Sequence, residues 1–411
     1  MYPIFLAHPG ERGRTLMKPV SVVSLALGAT LLGGMPMWLM GAYSPQIVEA
    51  FSLQASTYGA VLGVFFLFSA LTATPVGRYV NRIDWLAGVT WTAVFSVSGL
   101  LFLAFFASGI PLLVLGLFVA AWGNSFSQTS ANKGLAQFVP DHLQGRAFGF
   151  KQAALPMSTF LVGLSVPIFA GDGNFRWAFV AVAALSALVG GAAFSQIADK
   201  REFVRAITMD NLRSRRKASP PREKLKAPHY LVLLATGSGI ATGATMSFAG
   251  FLVLFSVSRG FSPELAALVL ALGSFAGIAA RIGFGFYADR ASSGHFRFVQ
   301  VLMLGGALGF GVLAFTDSLL LLIVGTILGF AMGWAWNGVF HFAVVRSRPS
   351  NSAFFTGVIQ AAMMAGATVG PPLFGLVSEW SYPAAWLFLA GSMVVSAGLV
   401  ARGKHAMERA I

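Results

Sequence analysis

Carboxylates are scarce in this sequence, and cysteine is missing altogether. Only 14 of the 411 residues are Asp or Glu, against 28 Lys and Arg, and charged residues make up 10% of the chain. Without cysteine, the chain can form neither disulfides nor thiolate-ligated metal sites. A hydrophobic fraction of 56% and a mean hydropathy of +0.74 exclude an ordinary soluble domain. The composition therefore predicts an integral membrane protein.

The residue patterns of the common enzyme classes are missing as well. The chain has no His-Glu-x-x-His, no phosphate loop, and no Ser, His and Asp set that would share one membrane face. Gly283-x-Gly285 lies at the end of an apolar stretch and lacks the strand of a dinucleotide site. Residues 1–19 carry four charges, which argues against a cleaved signal peptide. We expect neither an enzyme nor a bound cofactor or metal.

Long apolar stretches, by contrast, recur along the whole chain. Each is long enough to cross about 30 Å of hydrocarbon as a helix. We predict twelve such spans: 19–42, 57–76, 85–107, 110–137, 144–170, 175–197, 229–256, 263–286, 298–316, 318–344, 353–377 and 382–401. The predicted fold is all-α, with two pseudo-symmetric six-helix bundles.

The distribution of charge predicts the orientation and argues against nucleic acid as a partner. With both termini in the cytoplasm, cytoplasmic segments hold 23 of the 28 Lys and Arg, and the outer loops hold only Arg176 and Arg259. The outer loops carry five acids: Glu49, Asp172, Glu264, Asp317 and Glu379. This asymmetry follows the positive-inside rule, so the net charge of +14 reflects topology. We expect a multi-pass protein of the plasma membrane, the inner membrane if the source is bacterial, and a monomer.

One long polar segment, residues 199–228, divides the chain into bundles 1–198 and 229–411. It holds ten Lys and Arg and four acids, including the cluster 213–217. Such a segment is typical of a solvated linker, although a basic cluster next to a span can also bind anionic lipid.

The two predicted bundles repeat each other in sequence. Gly77-Arg78-Tyr-Val-Asn81-Arg82 after span 2 corresponds to Gly285-Phe-Tyr-Ala-Asp289-Arg290 after span 8, at an offset of 208 residues. Residues 149–154 and 357–362 match at the same offset, with Gln152 and Gln360 in equivalent places. Repeated halves with a site between them are typical of secondary transporters.

The repeated turn, the twelve spans and the basic central segment resemble the major facilitator superfamily. The resemblance covers nearly the whole chain and implies a transporter with alternating access. In that family the turn is a cytoplasmic latch, which implies this role for Gly77, Arg78, Arg82, Gly285, Asp289 and Arg290. The first copy departs from the pattern, with Asn81 in place of the acid and Asp84 in place of a usual glycine.

Span 4 has a broad polar face that ends in a lysine. Asn124, Gln128 and Asn132 recur every four residues, and Ser125, Thr129 and Lys133 form the neighbouring row. Such a face avoids lipid. It either lines a cavity for a small-molecule substrate or hydrogen-bonds neighbouring helices.

Lys133, Lys151 and Arg281 are the cations that lie more than one turn inside predicted spans, and no carboxylate lies at that depth in the same spans. A charge at membrane depth costs at least about 2.5–3.5 kcal/mol and therefore usually serves function. The repeat equivalent of Lys151 is Ile359, so folding does not require a charge there. A lysine near a span end can instead extend its ammonium to the headgroups.

Arg281-Ile-Gly-Phe-Gly285 is similar to the corresponding stretch of monocarboxylate transporters and oxalate–formate exchangers, in which the arginine contacts the cargo carboxylate. Gly277 stands where the monocarboxylate transporters carry an Asp, so their proton relay is not predicted. His341 lies on one face of span 10 with Asn337 and is either a hydrogen-bonding residue or a proton carrier.

These residues together predict a carrier for a small organic anion held by Lys133, Lys151 and Arg281. The neighbouring polar residues Asn124, Gln128, Asn132, Asn337, His341 and Gln360 complete the predicted binding site. Two alternatives remain open: an efflux carrier for amphipathic compounds, and a membrane sensor or lipid-binding protein that transports nothing. Membrane lipid is an expected partner in every case.

Overall fold

The computed structural model describes residues 19–140, 143, 147, 150–169, 175–197, 227–290, 293–347 and 352–409. The side chains of residues 19, 288, 289, 352 and 353 are outside this description. Three of the predictions therefore fall on undescribed parts of the chain: nearly all of the linker 199–228, Asp172, and the carboxylate of Asp289.

Twelve helices are long and apolar enough to cross a membrane, as predicted, and the described residues contain no strand. We number them as spans 1 to 12: Val20–Ala42, Ala55–Val80, Trp85–Phe105, Ile110–Phe138, Phe150–Phe169, Phe175–Ser195, His229–Ser258, Pro263–Tyr287, His295–Ala314, Leu319–Ser347, Phe354–Trp380 and Tyr382–Glu408. Helices are expected here because every backbone polar group in hydrocarbon needs an internal partner.

Several helix ends are determined by local sequence. Asp84 accepts a hydrogen bond from the backbone of Leu86 and caps span 3, while Ser318 and Ser381 cap spans 10 and 12. A short helix, Ser44–Ala50, follows span 1, and the helix of span 8 continues to Arg290.

The helices extend further than the apolar stretches, which corrects one expectation. Glu264 lies in the first turn of span 8, Glu379 in the last turn of span 11, and Glu408 at the end of span 12, so these acids are not confined to loops. A helix can continue past the hydrocarbon because water replaces lipid around its last turns.

Spans 1–6 form one half of the molecule and spans 7–12 the other. In the first half, span 4 packs on spans 1, 2 and 3; in the second half, span 7 packs on spans 11 and 12, and span 12 on span 9. The halves meet where span 2 contacts span 11, span 5 contacts span 8, and span 1 contacts span 7. A pseudo-two-fold relation makes span 2 equivalent to span 8 and span 5 equivalent to span 11. The contact of span 2 with span 11 is therefore equivalent to the contact of span 8 with span 5.

The packing between the halves is tightest at the end where span 2 begins and span 11 ends. The Tyr58 hydroxyl lies 2.8 Å from the carbonyl of Met40 and 2.9 Å from that of Gly250, and thus joins spans 1, 2 and 7. Gly59 lies directly against the backbone of Pro371, and the backbone N–H of Ser56 donates to Glu379 at 2.8 Å. We call this the closed end.

At the opposite end the helices are less tightly packed. A side chain added at Gly77, Gly285 or Gly357 would meet nothing within 4 Å. Between the two ends, spans 5 and 8 stay in contact, with the Ser274 hydroxyl donating to Thr159 at 2.8 Å.

Span 10 contains an irregular segment at mid-length. Its α-helix Leu319–Leu328 passes into a π-helix, Gly329–Trp334, before the α-helix Trp336–Ser347 begins. Wide turns of this kind occur often at functional sites because they change which backbone groups are free to bond.

Candidate functional site

Lys151 lies near the start of span 5 and is buried, with 2% of its surface exposed. Its ammonium donates to the side-chain oxygen of Gln128 in span 4, at 2.5 Å. Among the residues that the structure describes, this is its only hydrogen bond. A neutral amide cannot compensate a buried positive charge.

Arg281 of span 8 binds both halves at once. One guanidinium nitrogen donates to the carbonyl of Gln152 at 3.2 Å, and another donates to the carbonyl of Trp334 at 3.1 Å. The guanidinium also lies over the indole of Trp334, 5.7 Å from the ring centroid. Its described partners are neutral, so this charge is uncompensated as well.

These two cations are linked through a single turn of span 5, because Lys151 directly precedes Gln152, whose carbonyl binds Arg281. On span 10, His341 Nδ1 lies 3.0 Å from the carbonyl of Asn337, whose amide is 4.0 Å from the sulfur of Met363. We call Gln128, Lys151, Arg281, Asn337 and His341 the cation cluster. Four spans contribute to it, two from each half.

Carboxylates are remote from this cluster within the described part of the chain. There, the ion pairs are confined to the end of span 12, where Glu408 lies 3.5 Å from Lys404 and 3.4 Å from His405. The cluster is therefore a region of net positive charge between two apolar bundles.

Lys133 lies apart from the cation cluster. Its ammonium donates to the carbonyls of Val80 at 2.8 Å and Ile83 at 2.5 Å, and it lies 3.5 Å from the carbonyl of Asn81. These carbonyls belong to the end of span 2 and the turn before span 3. A cation is favourable at a helix C-terminus, where the last carbonyls lack partners.

The rest of the polar face of span 4 divides between two environments. Asn124 donates to the Ser69 hydroxyl at 3.1 Å, and the Ser125 and Thr72 hydroxyls are 2.8 Å apart, so this part bonds span 2. Asn132 and, on span 11, Gln360 are exposed and have no hydrogen bond to a described residue.

The latch residues occupy the less tightly packed end. Gly77 and Arg78 are in the last turn of span 2, Arg82 follows it, and Gly285, Asp289 and Arg290 end the helix of span 8. Arg78, Arg82 and Arg290 are exposed and form no ion pair with a described residue. The latch therefore stays a prediction.

Two features of the site were missed in the sequence. Trp38 of span 1 packs edge-on against Trp334, with centroids 5.2 Å apart, next to Arg281. It lies one turn before the end of span 1, where membrane tryptophans are common, so its position gave no usable signal. The π-helix that precedes the Trp334 carbonyl has no sequence signature either.

Comparison with models of protein families identifies the family of this chain. Residues 25–343 match the profile of the Major Facilitator Superfamily. The chain belongs to this superfamily. The match spans most of the chain, from span 1 into span 10, and confirms the resemblance that the repeated turn had indicated. A comparison with curated proteins finds no match.

Solved structures of superfamily transporters share the whole fold. One is a bacterial homologue of the human lysosomal transporter Spinster in an inward-facing, occupied conformation, with 16% identity, a TM-score of 0.69, and coverage of 96% of this chain and 97% of that one. The unoccupied, inward-facing form of the homologue has 15% identity, a TM-score of 0.68, and coverage of 95% of this chain and 96% of that one. A mutant of the nucleoside transporter NupG has 13% identity, a TM-score of 0.72, and coverage of 94% of this chain and 99% of that one. At these identities the likeness shows the fold.

The superfamily fold supports transmembrane transport by alternating access, in which a central site opens to one side of the membrane at a time. The chain is a multi-pass membrane protein and a transporter, not an enzyme.

Proposed function

We propose that this transporter carries a small organic anion, a mono- or dicarboxylate, which binds at the cation cluster. The observation that carries the proposal is the uncompensated charge of Lys151 and Arg281, whose described partners are a neutral amide and two carbonyls. A charge held among apolar helices is costly unless something offsets it, and a bound anion offsets two at once.

Each of the two cations now donates to a neutral oxygen, and a carboxylate oxygen of the ligand could take the place of that acceptor. A carboxylate forms hydrogen bonds about twice as strong as those of a neutral acceptor. It would replace Gln128 at the ammonium of Lys151 and the Trp334 carbonyl at Arg281, whose planar fork matches a carboxylate. Lys133 has a different role in this proposal, because it already binds the turn after span 2.

The proposed anion site lies where the two halves meet. An anion that contacts span 5 and span 8 together binds best when the halves are in one particular arrangement, and only such a ligand shifts a conformational equilibrium. With both termini in the cytoplasm, the closed end is the outer one. The present conformation is then inward-facing, like that of the Spinster homologue.

The first test is a screen of mono- and dicarboxylates for thermal stabilisation of the purified protein, followed by counterflow in liposomes. A ligand that binds only the folded state raises the melting temperature by mass action. The most informative variant is Gln128→Glu, which supplies an internal carboxylate to Lys151. We expect it to keep or raise stability while it weakens carboxylate binding at least about ten-fold, the effect of roughly 1.4 kcal/mol.

Arg281→Gln should likewise abolish carboxylate counterflow, whereas the matched control Lys133→Met removes a cation outside the cluster and should leave binding intact. Full counterflow by both Gln128→Glu and Arg281→Gln would contradict the proposal. Stabilisation by cationic or neutral amphipaths, with carboxylates inert, would indicate efflux of such compounds. No counterflow of any solute would indicate a sensor or a lipid-binding protein.

A further inference from the structure

The first turn of span 2 takes its cap from the other half of the molecule. The helix begins at Ala55, and Gln54, which precedes it, makes no side-chain bond to the first turn. The first N–H groups of a helix have no partner within the helix. The N–H of Ser56 donates instead to the carboxylate of Glu379 in span 11, at 2.8 Å. This helix start is therefore satisfied by protein only while the two halves are together.

The acceptor in this contact is a charged group. Negative charge is favourable at a helix start, and a carboxylate forms hydrogen bonds about twice as strong as those of a neutral acceptor. Of the acids that the structure describes, Glu379 is the one that bonds across the boundary between the halves. The hydrogen bond from Tyr58 to the carbonyl of Gly250, which also joins the halves at the closed end, is neutral.

The backbones beneath this contact hold its two partners at a fixed distance. Gly375, one turn before Glu379, lies against the backbone of Ala55, and Gly59 lies against that of Pro371. A side chain at either glycine would collide with backbone of the opposite half, which cannot turn aside as a flexible side chain can. Spans 2 and 11 therefore cannot separate at the closed end without drawing the carboxylate away from the N–H of Ser56.

We propose that Glu379 is an electrostatic clasp, whose charge stabilises the closed end by capping span 2 from the opposite half. When this end opens, the carboxylate and the first turn of span 2 are each left to water, and the favourable contact between charge and helix start is lost. The clasp biases the resting conformation. It does not depend on which solute the protein carries, and it lies outside the cation cluster.

The test measures how often the closed end opens in the full-length protein. The chain has no cysteine, and Leu62 is fully buried against Gly250 of the other half, so Leu62→Cys supplies a single thiol that opening exposes. Its labelling by a polar maleimide follows the population of the open form when opening and closing are fast. Glu379→Gln keeps the shape and an acceptor oxygen but removes the charge. It should speed labelling about two- to five-fold.

Two further variants separate the clasp from a general effect of charge. Glu49→Gln removes the same charge from an exposed position on the short helix Ser44–Ala50 and should leave the labelling rate unchanged. Gln54→Ser gives span 2 a cap of its own, because a serine hydroxyl at this position accepts from the N–H two or three residues on. It should speed labelling although Glu379 is intact, and Glu379→Gln should then add little.

Salt provides a test that needs no substitution at the clasp. The contact is exposed, so its electrostatic part should weaken at high ionic strength, where the Debye length falls to about 3 Å. Labelling of the Leu62→Cys protein should then approach the rate of the Glu379→Gln variant, whose own rate should change less.

Three results would overturn the clasp. The first is a Glu379→Gln variant that is labelled at the unmodified rate. The second is an equal acceleration by Glu49→Gln, which would indicate a general effect of charge at this end. The third is a full additional effect of Glu379→Gln in the Gln54→Ser background, which would mean that Glu379 does not act as a cap. Each leaves the proposed anion site standing, because none of these residues belongs to the cation cluster.

Discussion

Lys133 and Lys151 are alike in the sequence, since each is a lone lysine near the cytoplasmic end of a predicted span. The difference lies in what their ammonium groups contact. Lys133 binds backbone carbonyls at the end of its neighbour, span 2, and these would otherwise lack partners. Lys151 binds a neutral side chain that can turn away, and the carbonyl of the next residue, Gln152, binds Arg281 of the other half. The residue type and its depth in the membrane therefore do not determine whether a lysine stabilises the fold or is available to a ligand.

We predict that Lys133→Met destabilises the protein and spares its ligand site. The substitution removes the ammonium that donates to the carbonyls of Val80 and Ile83, which costs about 1–3 kcal/mol. The melting temperature should therefore fall by several degrees. Carboxylate affinity should stay within two-fold of the wild type, roughly 0.4 kcal/mol. Lys404→Met, which removes only a surface pair, should change stability by less than about 0.5 kcal/mol. Unchanged stability with lost binding would instead assign Lys133 to the cargo.

At the scale of helices, closure depends on where backbones can approach. Spans 2 and 11 touch because Gly59 meets the backbone of Pro371, and the hydroxyl of Tyr58 then reaches carbonyls in spans 1 and 7. Small residues permit such contacts between membrane helices, where apolar burial gives no driving force. Tyr58 therefore links three helices at the closed end.

We predict that Tyr58→Phe opens the closed end more often. The loss of a buried hydrogen bond worth about 1 kcal/mol corresponds to an approximately five-fold change in the conformational equilibrium. Since the chain has no cysteine, Leu62→Cys provides a single reporter thiol, buried against Gly250. Its labelling by a polar maleimide should be about five-fold faster in the Tyr58→Phe background.

Tyr382→Phe is the control for this measurement. Tyr382 lies at the same end of the molecule and packs on Phe255, but its hydroxyl makes no hydrogen bond to a described residue. Equal labelling rates in both backgrounds would mean that Tyr58 does not hold the end closed.

On the scale of the whole molecule, the two halves make equivalent contacts at spans 2 and 11 and at spans 5 and 8. The second contact contains the cation cluster, so in the proposed function one interface would both bind the anion and move. A ligand that joins Lys151 to Arg281 must therefore influence the separation of the halves. The π-helix of span 10 would take part in this coupling between ligand binding and the separation of the halves, since Arg281 donates a hydrogen bond to the carbonyl of Trp334.

We predict that a bound carboxylate brings the less tightly packed ends together. Spin labels at Gln137→Cys in span 4 and Val345→Cys in span 10, both exposed positions, report the separation of the halves at that end. A saturating carboxylate should shift their distance distribution to shorter values in the otherwise unmodified protein. In the Arg281→Gln background the distribution should not respond, and a full response there would contradict the coupling.

Much of the fold followed from local properties of the chain. Twelve apolar stretches predicted the twelve spans, and the repeated turns at Gly77 and Gly285 predicted two equivalent halves. Helix ends were less predictable, because Glu379 and Glu408 lie in helical turns beyond the apolar stretches. The polar face of span 4 was recognisable in the sequence. Which neighbouring helix each of its residues contacts was not, since Asn124 bonds to span 2 while Gln128 bonds to span 5.

The sequence by itself determined that this protein crosses the membrane twelve times in two related halves, because hydropathy and repetition are properties of the chain alone. Only the tertiary structure decided which of the three cations inside spans are linked to one another. That outcome depends on which carbonyls, amides and rings surround each charge, and those groups come from distant parts of the chain. Lys151 and Arg281 are 130 positions apart and are linked through one turn of span 5, whereas Lys133 binds the end of span 2.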